Sequence, residues 1–370
     1  MKINNINLAL CSTGELYGGV EQFMYTFSSY LKNEIKVNFI VILFNKGLLY
    51  EKLKEADIET FLLSDHKYNF LTIKQIVKVL KEKRINVVHT HGYKANILCS
   101  IAGKVCNAKI IKTEHGKIEP STGFSRFKMQ VNHRIDRIIS RLLLDEIVFV
   151  SRDIESYYKR YYKNVKSTVI YNGIPRIEVN SDENLQGFDY NAFNIGIVGR
   201  LTEVKGHIFL LRALKNLNGL GNIKLNIFGN GHLEEELKGY CNKNGILNFA
   251  TFHGFKENIH DYMAELDLLV MPSLYEGMPY TLLEAMYLKV PVIASDVGGL
   301  KEILENNVYA ILVPPADEGS LEKAIRFLYA NSESRKHLTV NAYKKATGKF
   351  LIDKMTDRYF AEYVHLLQLV

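Results

Sequence analysis

Met271-Pro-Ser-Leu-Tyr-Glu276-Gly-Met-Pro-Tyr-Thr-Leu-Leu-Glu284-Ala-Met286 follows the apolar run Leu268, Leu269, Val270 and leads into a helical pattern. A strand therefore gives way to a helix around Gly-Met-Pro, with two carboxylates eight positions apart. Pro279 suits the helix start, where its missing N–H costs nothing. The backbone N–H groups of Met278, Tyr280 and Thr281 would face outward with the positive end of the helix dipole behind them. That combination is an anion site, and a diphosphate suits it. Glu276 would stand at the outer end of the anion. Glu284, about one turn inside, could accept hydrogen bonds from the vicinal hydroxyls of a sugar. A nucleoside diphosphate sugar has both parts. Two glutamates at this spacing can also be plain solvated side chains, so the surrounding sequence has to decide.

Short apolar runs alternate with amphipathic stretches on both sides of this segment, the pattern of a parallel sheet covered by helices. Strands are expected at 6–11, 37–43, 58–63, 86–89, 109–113, 146–150 and 168–170. After a polar connector at 176–191 the series restarts at 193–198, 224–228, 249–252, 268–271, 290–294 and 311–313. Two such series in 370 residues predict an α/β protein of two Rossmann-like, doubly wound domains facing across a cleft. Residues 1–175 form the first, 176–350 the second, and 351–370 a last helix crossing back to the first. No run of about 18 uncharged apolar residues occurs, so no membrane span is expected. The N-terminal segment reads as a strand and not a signal peptide. Cys11, Cys99, Cys106 and Cys241 lack Cys-x-x-Cys spacing and suit free thiols in a reducing cytosol.

Further motifs fall at predicted strand ends, where doubly wound sheets bind ligands. Gly18 and Gly19 open a helix after the first strand; they could admit a phosphate or simply make a tight turn, and they do not complete a Gly-x-Gly-x-x-Gly dinucleotide fingerprint. His89, His91 and His115 end the strands at 86–89 and 109–113. His89-x-His91 has the spacing of a zinc pair, but no third or fourth ligand is identifiable, so no metal is expected. Gly199-Arg200-Leu-x-x-x-Lys205-Gly206 follows the first strand of the second series. Two cations at a helix N-terminus oppose its dipole and so call for an anion between them. Phe228-Gly-Asn-Gly231 and Phe252-His-Gly254-Phe255 close two more strands.

The whole string resembles the Glu-x(7)-Glu signature of retaining glycosyltransferases of family 4, the "group 1" family with the GT-B fold. Gly199-Arg200…Lys205-Gly206, Pro291-Val-Ile-Ala-Ser-Asp-Val-Gly298-Gly299 and Val313-Pro-Pro-Ala-Asp317 extend that resemblance across the second half, and the first half matches more loosely. One departure is Ala310, where the family often has glycine. The resemblance implies transfer of a sugar from a nucleotide donor, UDP-linked in the first instance, to a glycan or lipid-linked acceptor in envelope polysaccharide assembly. It implies that Arg200 and Lys205 clamp the diphosphate, that Glu276 holds sugar hydroxyls and Glu284 the ribose, and that backbone near Gly254 and Phe255 borders the base. His115 would lie beside the donor sugar. No cofactor and no metal are implied, and no Asp-x-Asp occurs. A nucleotide-sugar 2-epimerase of the same fold and a non-catalytic nucleotide-sugar-binding subunit remain as alternatives.

Charge is unevenly spread. Residues 1–175 hold 27 Lys and Arg against 16 Asp and Glu, whereas residues 176–370 hold 20 against 24. The basic half suggests an anionic surface or substrate; no arginine-rich tract or RNA-binding signature points to nucleic acid. Within residues 126–144, Phe127, Val131, Ile135, Ile138 and Leu142 make an apolar stripe at helical period, beside Arg134, Arg137 and Arg141, with Arg126 and Lys128 ahead. Such a helix can lie in an anionic lipid surface, which would make the protein cytoplasmic and peripheral at the inner face of the cell membrane. The same stripe could instead pack on the first sheet, with the arginines solvated or lining an acceptor site.

Overall fold

Thirteen strands and fourteen α-helices alternate along the computed structural model, which describes residues 5–15, 17–63, 70–117, 123–180, 185–217 and 221–368. All strands expected from the apolar runs are present, their ends displaced by two residues at most. The chain divides into two units: residues 1–175 with 352–370, and residues 176–351.

The first unit carries seven parallel strands: β1 (Asn7–Ser12), β2 (Asn38–Leu43), β3 (Thr60–Leu62), β4 (Val87–His91), β5 (Lys109–Glu114), β6 (Glu146–Phe149) and β7 (Lys166–Val169). Their order is β3-β2-β1-β4-β5-β6-β7. The chain winds outward in one direction as far as β3, then returns to the middle at β4, so the sequence of strands reverses between β1 and β4. Near-continuous apolar strands such as Asn-Leu-Ala-Leu-Cys-Ser and Asn-Phe-Ile-Val-Ile-Leu are what a sheet buried on both faces requires. Helices α3 (Phe70–Glu82) and α4 (Tyr93–Val105) supply Ile76, Leu80, Ala95, Leu98 and Ala102 to a core shared with Ile40, Ile42 and Val88. Helices α1 (Gly19–Tyr30) and α14 (Ile352–Gln368) meet through the buried Phe23, Phe27 and Tyr359.

The second unit has six parallel strands: β8 (Phe193–Val198), β9 (Ile223–Phe228), β10 (Ala250–Gly254), β11 (Leu268–Met271), β12 (Val292–Ser295) and β13 (Ile311–Val313). The order β10-β9-β8-β11-β12-β13 reverses between β8 and β11. Crevices outside the strand ends at such a reversal are where open α/β sheets take their ligands. The loops leaving β8 and β11 are the two sequence segments richest in motif. Helix α7 (His207–Lys215) follows the first loop and α10 (Tyr280–Tyr287) the second. A core of Ile195, Ile197, Leu225, Ile227, Leu268, Val270 and Ile293 fills the sheet beneath them.

Candidate active site

At the β8/β11 reversal the two loops are fastened to each other. The Leu274 N–H donates to the Val204 carbonyl at 2.8 Å. Gly206, at φ +67°, lies so close to the second loop that a Cβ there would stand 2.1 Å from the Pro272 carbonyl oxygen. This contact brings Lys205 onto Glu276: Nζ lies 2.6 Å from Oε1, and the Ser273 hydroxyl donates to the same oxygen at 2.7 Å. Glu276 is 6% exposed. Its backbone is held as well, because the Gly299 N–H donates to the Glu276 carbonyl at 2.9 Å, and Gly298 at φ +46° leaves no room there for a side chain. A buried carboxylate with an ammonium and a hydroxyl on one oxygen keeps the other oxygen for a ligand.

Pro279 caps α10 with φ −73°, so Tyr280 and Thr281 are the first two helical residues and Met278 immediately precedes the cap. Glu284, buried in the second turn, meets His260 of helix α9 (Ile259–Ala264): Nε2 to Oε1 is 3.3 Å, an ion-pair separation. Burial would lower the pKa of His260, but the Glu284 carboxylate beside it, with Asp261, overrides it, and the net direction is upward. Nothing in the spacing of the sequence had marked His260. Arg200 is exposed at the end of β8. Gly254, at φ +66°, and the half-exposed Phe255 are tied to the same edge through Asn230: its Oδ1 accepts from the Phe255 N–H at 3.1 Å, and the Gly229 N–H donates to the Gly254 carbonyl at 2.8 Å.

The first unit's strand ends are different in kind. His89 and His91 of β4 and Thr113 of β5 face α1 and α14, and there the histidines gather. His89 is bonded through both nitrogens, Nδ1 to the Tyr363 hydroxyl at 2.6 Å and Nε2 to the Thr113 hydroxyl at 2.7 Å. His91 and His115 bond each other, Nδ1 to Nε2 at 2.8 Å, and Phe23 packs on both rings. Burial lowers the pKa of all three, that of His115 to about 3. Gly18 caps α1 and donates its N–H to Glu21 at 3.2 Å, so the chain's own carboxylate already serves the helix start beside Gly18 and Gly19.

Two family models divide the chain between them. Residues 17–176 match Glycosyltransferase Family 4 and residues 182–345 match Glycosyl transferases group 1. The chain belongs to the group 1 glycosyltransferases. Among its relatives is the Escherichia coli UDP-Gal:alpha-D-GlcNAc-diphosphoundecaprenol alpha-1,3-galactosyltransferase, 27% identical over 77% of each chain. Another is the Campylobacter jejuni GalNAc-alpha-(1->4)-GalNAc-alpha-(1->3)-diNAcBac-PP-undecaprenol alpha-1,4-N-acetyl-D-galactosaminyltransferase, 27% identical over 93% of each. Anabaena HepE, solved in complex with UDP and glucose, shares the GT-B fold: TM-score 0.85 at 20% identity, covering 98% of this chain and 100% of that one.

In this glycosyltransferase helix α5 (Gly123–Leu143) corrects one sequence expectation. The stripe does not pack on the sheet. Phe127 is 64% exposed, Val131 37%, Ile135 42%, Ile138 54% and Leu142 72%. The inward face is polar instead. Lys112 of β5, 1% exposed, bonds Asp136 at 2.7 Å and Glu114 at 2.5 Å, while Asn96 of α4 donates to Asp136 at 2.8 Å and to Ser140 at 2.9 Å. Burial alone would lower the lysine's pKa; the carboxylates more than reverse that. A buried cation demands a buried anion, and Asp136 supplies it only with α5 turned this way round. Arg137 stacks on Tyr161 at 3.7 Å, and Arg141 donates to the Tyr161 carbonyl at 2.6 Å. The side chains of Arg126 and Lys128 lie outside the described residues. Among those described, no helix is long and apolar enough to cross a membrane and no group of side chains is arranged to hold a metal ion.

Proposed function

We propose that this glycosyltransferase moves a sugar from a nucleotide donor, UDP-linked in the first instance, to a hydroxyl of a lipid-linked or envelope glycan, with retention at the anomeric carbon and without a metal ion. The observation that carries the reading is the Lys205–Glu276–Ser273 cluster at the β8/β11 reversal. A leaving nucleoside diphosphate gains negative charge as the glycosidic bond breaks, and fixed cations with a helix N-terminus stabilise that charge most in the transition state. Lys205, Arg200 and the start of α10 at Met278, Tyr280 and Thr281 take that part. Glu276 orients the donor sugar through its free oxygen, Glu284 holds the ribose with His260 behind it, and the Gly254–Phe255 backbone borders the base. His115 contacts a sugar hydroxyl. With Lys205 and Arg200 supplying positive charge, a divalent cation is not required. Names of relatives that carry UDP, or undecaprenol-linked saccharides, support the donor and acceptor classes.

The exposed face of α5 supports a place of work as well: the surface of an anionic membrane, where a lipid-linked acceptor resides. Asp136 is the helix's one acid, and it points inward, so no carboxylate opposes the exposed apolar stripe and the arginines beside it.

Thermal denaturation with UDP-, GDP- and ADP-sugars tests the donor reading, because a ligand bound only by the native state raises Tm. A rise with one nucleotide family, kept in the free nucleoside diphosphate, is the expected result. No rise with any of them overturns it. Product analysis of a responsive donor incubated without acceptor separates transfer from epimerisation.

A further inference from the structure

Bond counting separates the three histidines of the first unit. His89 has both ring nitrogens satisfied by protein, and its role ends in holding α14 to the sheet. His91 and His115 each spend one nitrogen on the other. The two left over, His91 Nε2 and His115 Nδ1, are covered from solvent and have no hydrogen-bond partner among the described residues. Orphaned buried polar atoms are rare in folded proteins, and each asks for an explanation.

We propose that His91 is the positioning residue for His115: the two rings form a tautomeric couple in which His91 sets whether His115 Nδ1 offers a proton or a lone pair to a substrate hydroxyl. This rests on the reading above that His115 contacts the sugar. The argument is a proton count. Both rings are neutral, since Phe23 packs on each and the surrounding protein desolvates them, which disfavours the charged form, and a neutral imidazole carries one N–H. The 2.8 Å gap holds a single proton. If that proton belongs to His115 Nε2, then His115 Nδ1 is bare and His91 must be protonated at Nε2. If it belongs to His91 Nδ1, then His91 Nε2 is bare and His115 is protonated at Nδ1. The two rings therefore always carry the same tautomer, both Nε2–H or both Nδ1–H. Passing from the first state to the second moves the bridging proton from His115 Nε2 to His91 Nδ1. His91 Nε2 gives a proton to water and His115 Nδ1 takes one from water as local opening uncovers them. A sugar hydroxyl can donate or accept, and the couple gives it whichever partner it needs without placing a charge in the apolar pocket.

Long-range nitrogen-15 NMR of the full chain reads ring tautomers directly. The expected spectrum at pH 7 shows His91 and His115 neutral and matched. Opposite tautomers, or a cationic ring, overturn the couple, because neither is compatible with one shared proton. Binding provides the second arm, with UDP-galactose and UDP as probes. His91→Phe should weaken UDP-galactose about tenfold, the scale of losing one well-placed polar contact, and leave UDP within twofold. His91→Asn, which restores a hydrogen-bonding group near the Nδ1 position, should recover most of the loss. Loss of sugar binding in His115→Ala with none in His91→Phe overturns the role of His91 alone. Silence in both variants overturns the sugar contact itself.

Discussion

At the strand reversal of the second sheet the polar groups stand at ion-pair distance: Lys205 with Glu276, His260 with Glu284. On the α1/α14 face of the first sheet they are buried and neutral, with three histidines, two tyrosines and a threonine joined only by hydrogen bonds. The contrast follows the chemistry each is proposed to meet. A diphosphate is met by charges that can change partner. Sugar hydroxyls carry no charge and are met by uncharged groups whose direction matters more than their strength. The cost of neutrality is sensitivity to acid.

That cost gives the largest expected effect. In the unfolded chain a histidine takes up a proton below about pH 6.5. In the folded first unit His89 and His91 stay neutral well below that, and His115 to about pH 3. The unfolded state thus binds more protons as pH falls through 6.5, and stability drops with it, by about 1.4 kcal/mol per pH unit for each such histidine. Three of them should cost about 4 kcal/mol between pH 6 and pH 5, read by urea unfolding. His89→Gln keeps hydrogen-bonding atoms but cannot protonate, so it should shallow the slope by about a third. A flat stability profile from pH 7 to 5 would break the contrast between the clusters.

Turnover tests the charged side. Lys205→Ala should lower it by about 10²–10³-fold, as for loss of one transition-state donor, and Arg200→Ala should act in the same direction. Near-wild-type rates in both variants would remove the clamp. The two glutamates should then divide by kinetic parameter. Ribose contacts exist in ground and transition states alike, so Glu284→Ala should raise KM for the donor with kcat little changed. Glu276→Gln should reduce kcat, since the orientation of the sugar sets the reacting geometry. Equal effects on KM alone would strike Glu276 from the catalytic residues.

Much of this was legible in the sequence, and the parts that were not share a physical cause. The strands announced themselves as apolar runs because parallel sheets are buried on both faces. Lys205, Glu276 and Glu284 could be singled out because each stands in a local motif beside a strand end. His260 escaped because its partner lies 24 positions away on another element, and only the fold brings them together. Helix α5 left two readings open for a different reason. Its apolar stripe has the period of a core-facing helix, and periodicity carries no sign: it says that one face is apolar, not which way that face points. The clue lay in β5, Lys-Ile-Ile-Lys-Thr-Glu, where Lys112 and Glu114 alternate in a strand that should be apolar on both faces. A lysine buried there predicts an acid on the helix that covers it.

The inverted helix carries the smallest and most separable prediction. Each arginine near an anionic lipid surface contributes about 1 kcal/mol, roughly fivefold in affinity, and the contribution is screened by salt. Arg134 is the cleanest position, being exposed, whereas Arg137 and Arg141 also serve Tyr161. Arg134→Ala should therefore weaken sedimentation with phosphatidylglycerol vesicles about fivefold while leaving UDP binding and Tm unchanged. Ile138→Asp, which puts a carboxylate into the apolar stripe, should weaken it further without unfolding the protein, because Ile138 is 54% exposed and supports no core. Zwitterionic vesicles should bind poorly throughout, since the stripe alone lacks the electrostatic part. If anionic vesicles do not bind at low salt and the protein instead dimerises in a manner abolished by Ile138→Asp, the stripe belongs to a second copy of the chain and not to the membrane. If neither occurs, the orientation of α5 serves Lys112 alone, and its outward face is simply the far side of a helix whose polar residues were needed within.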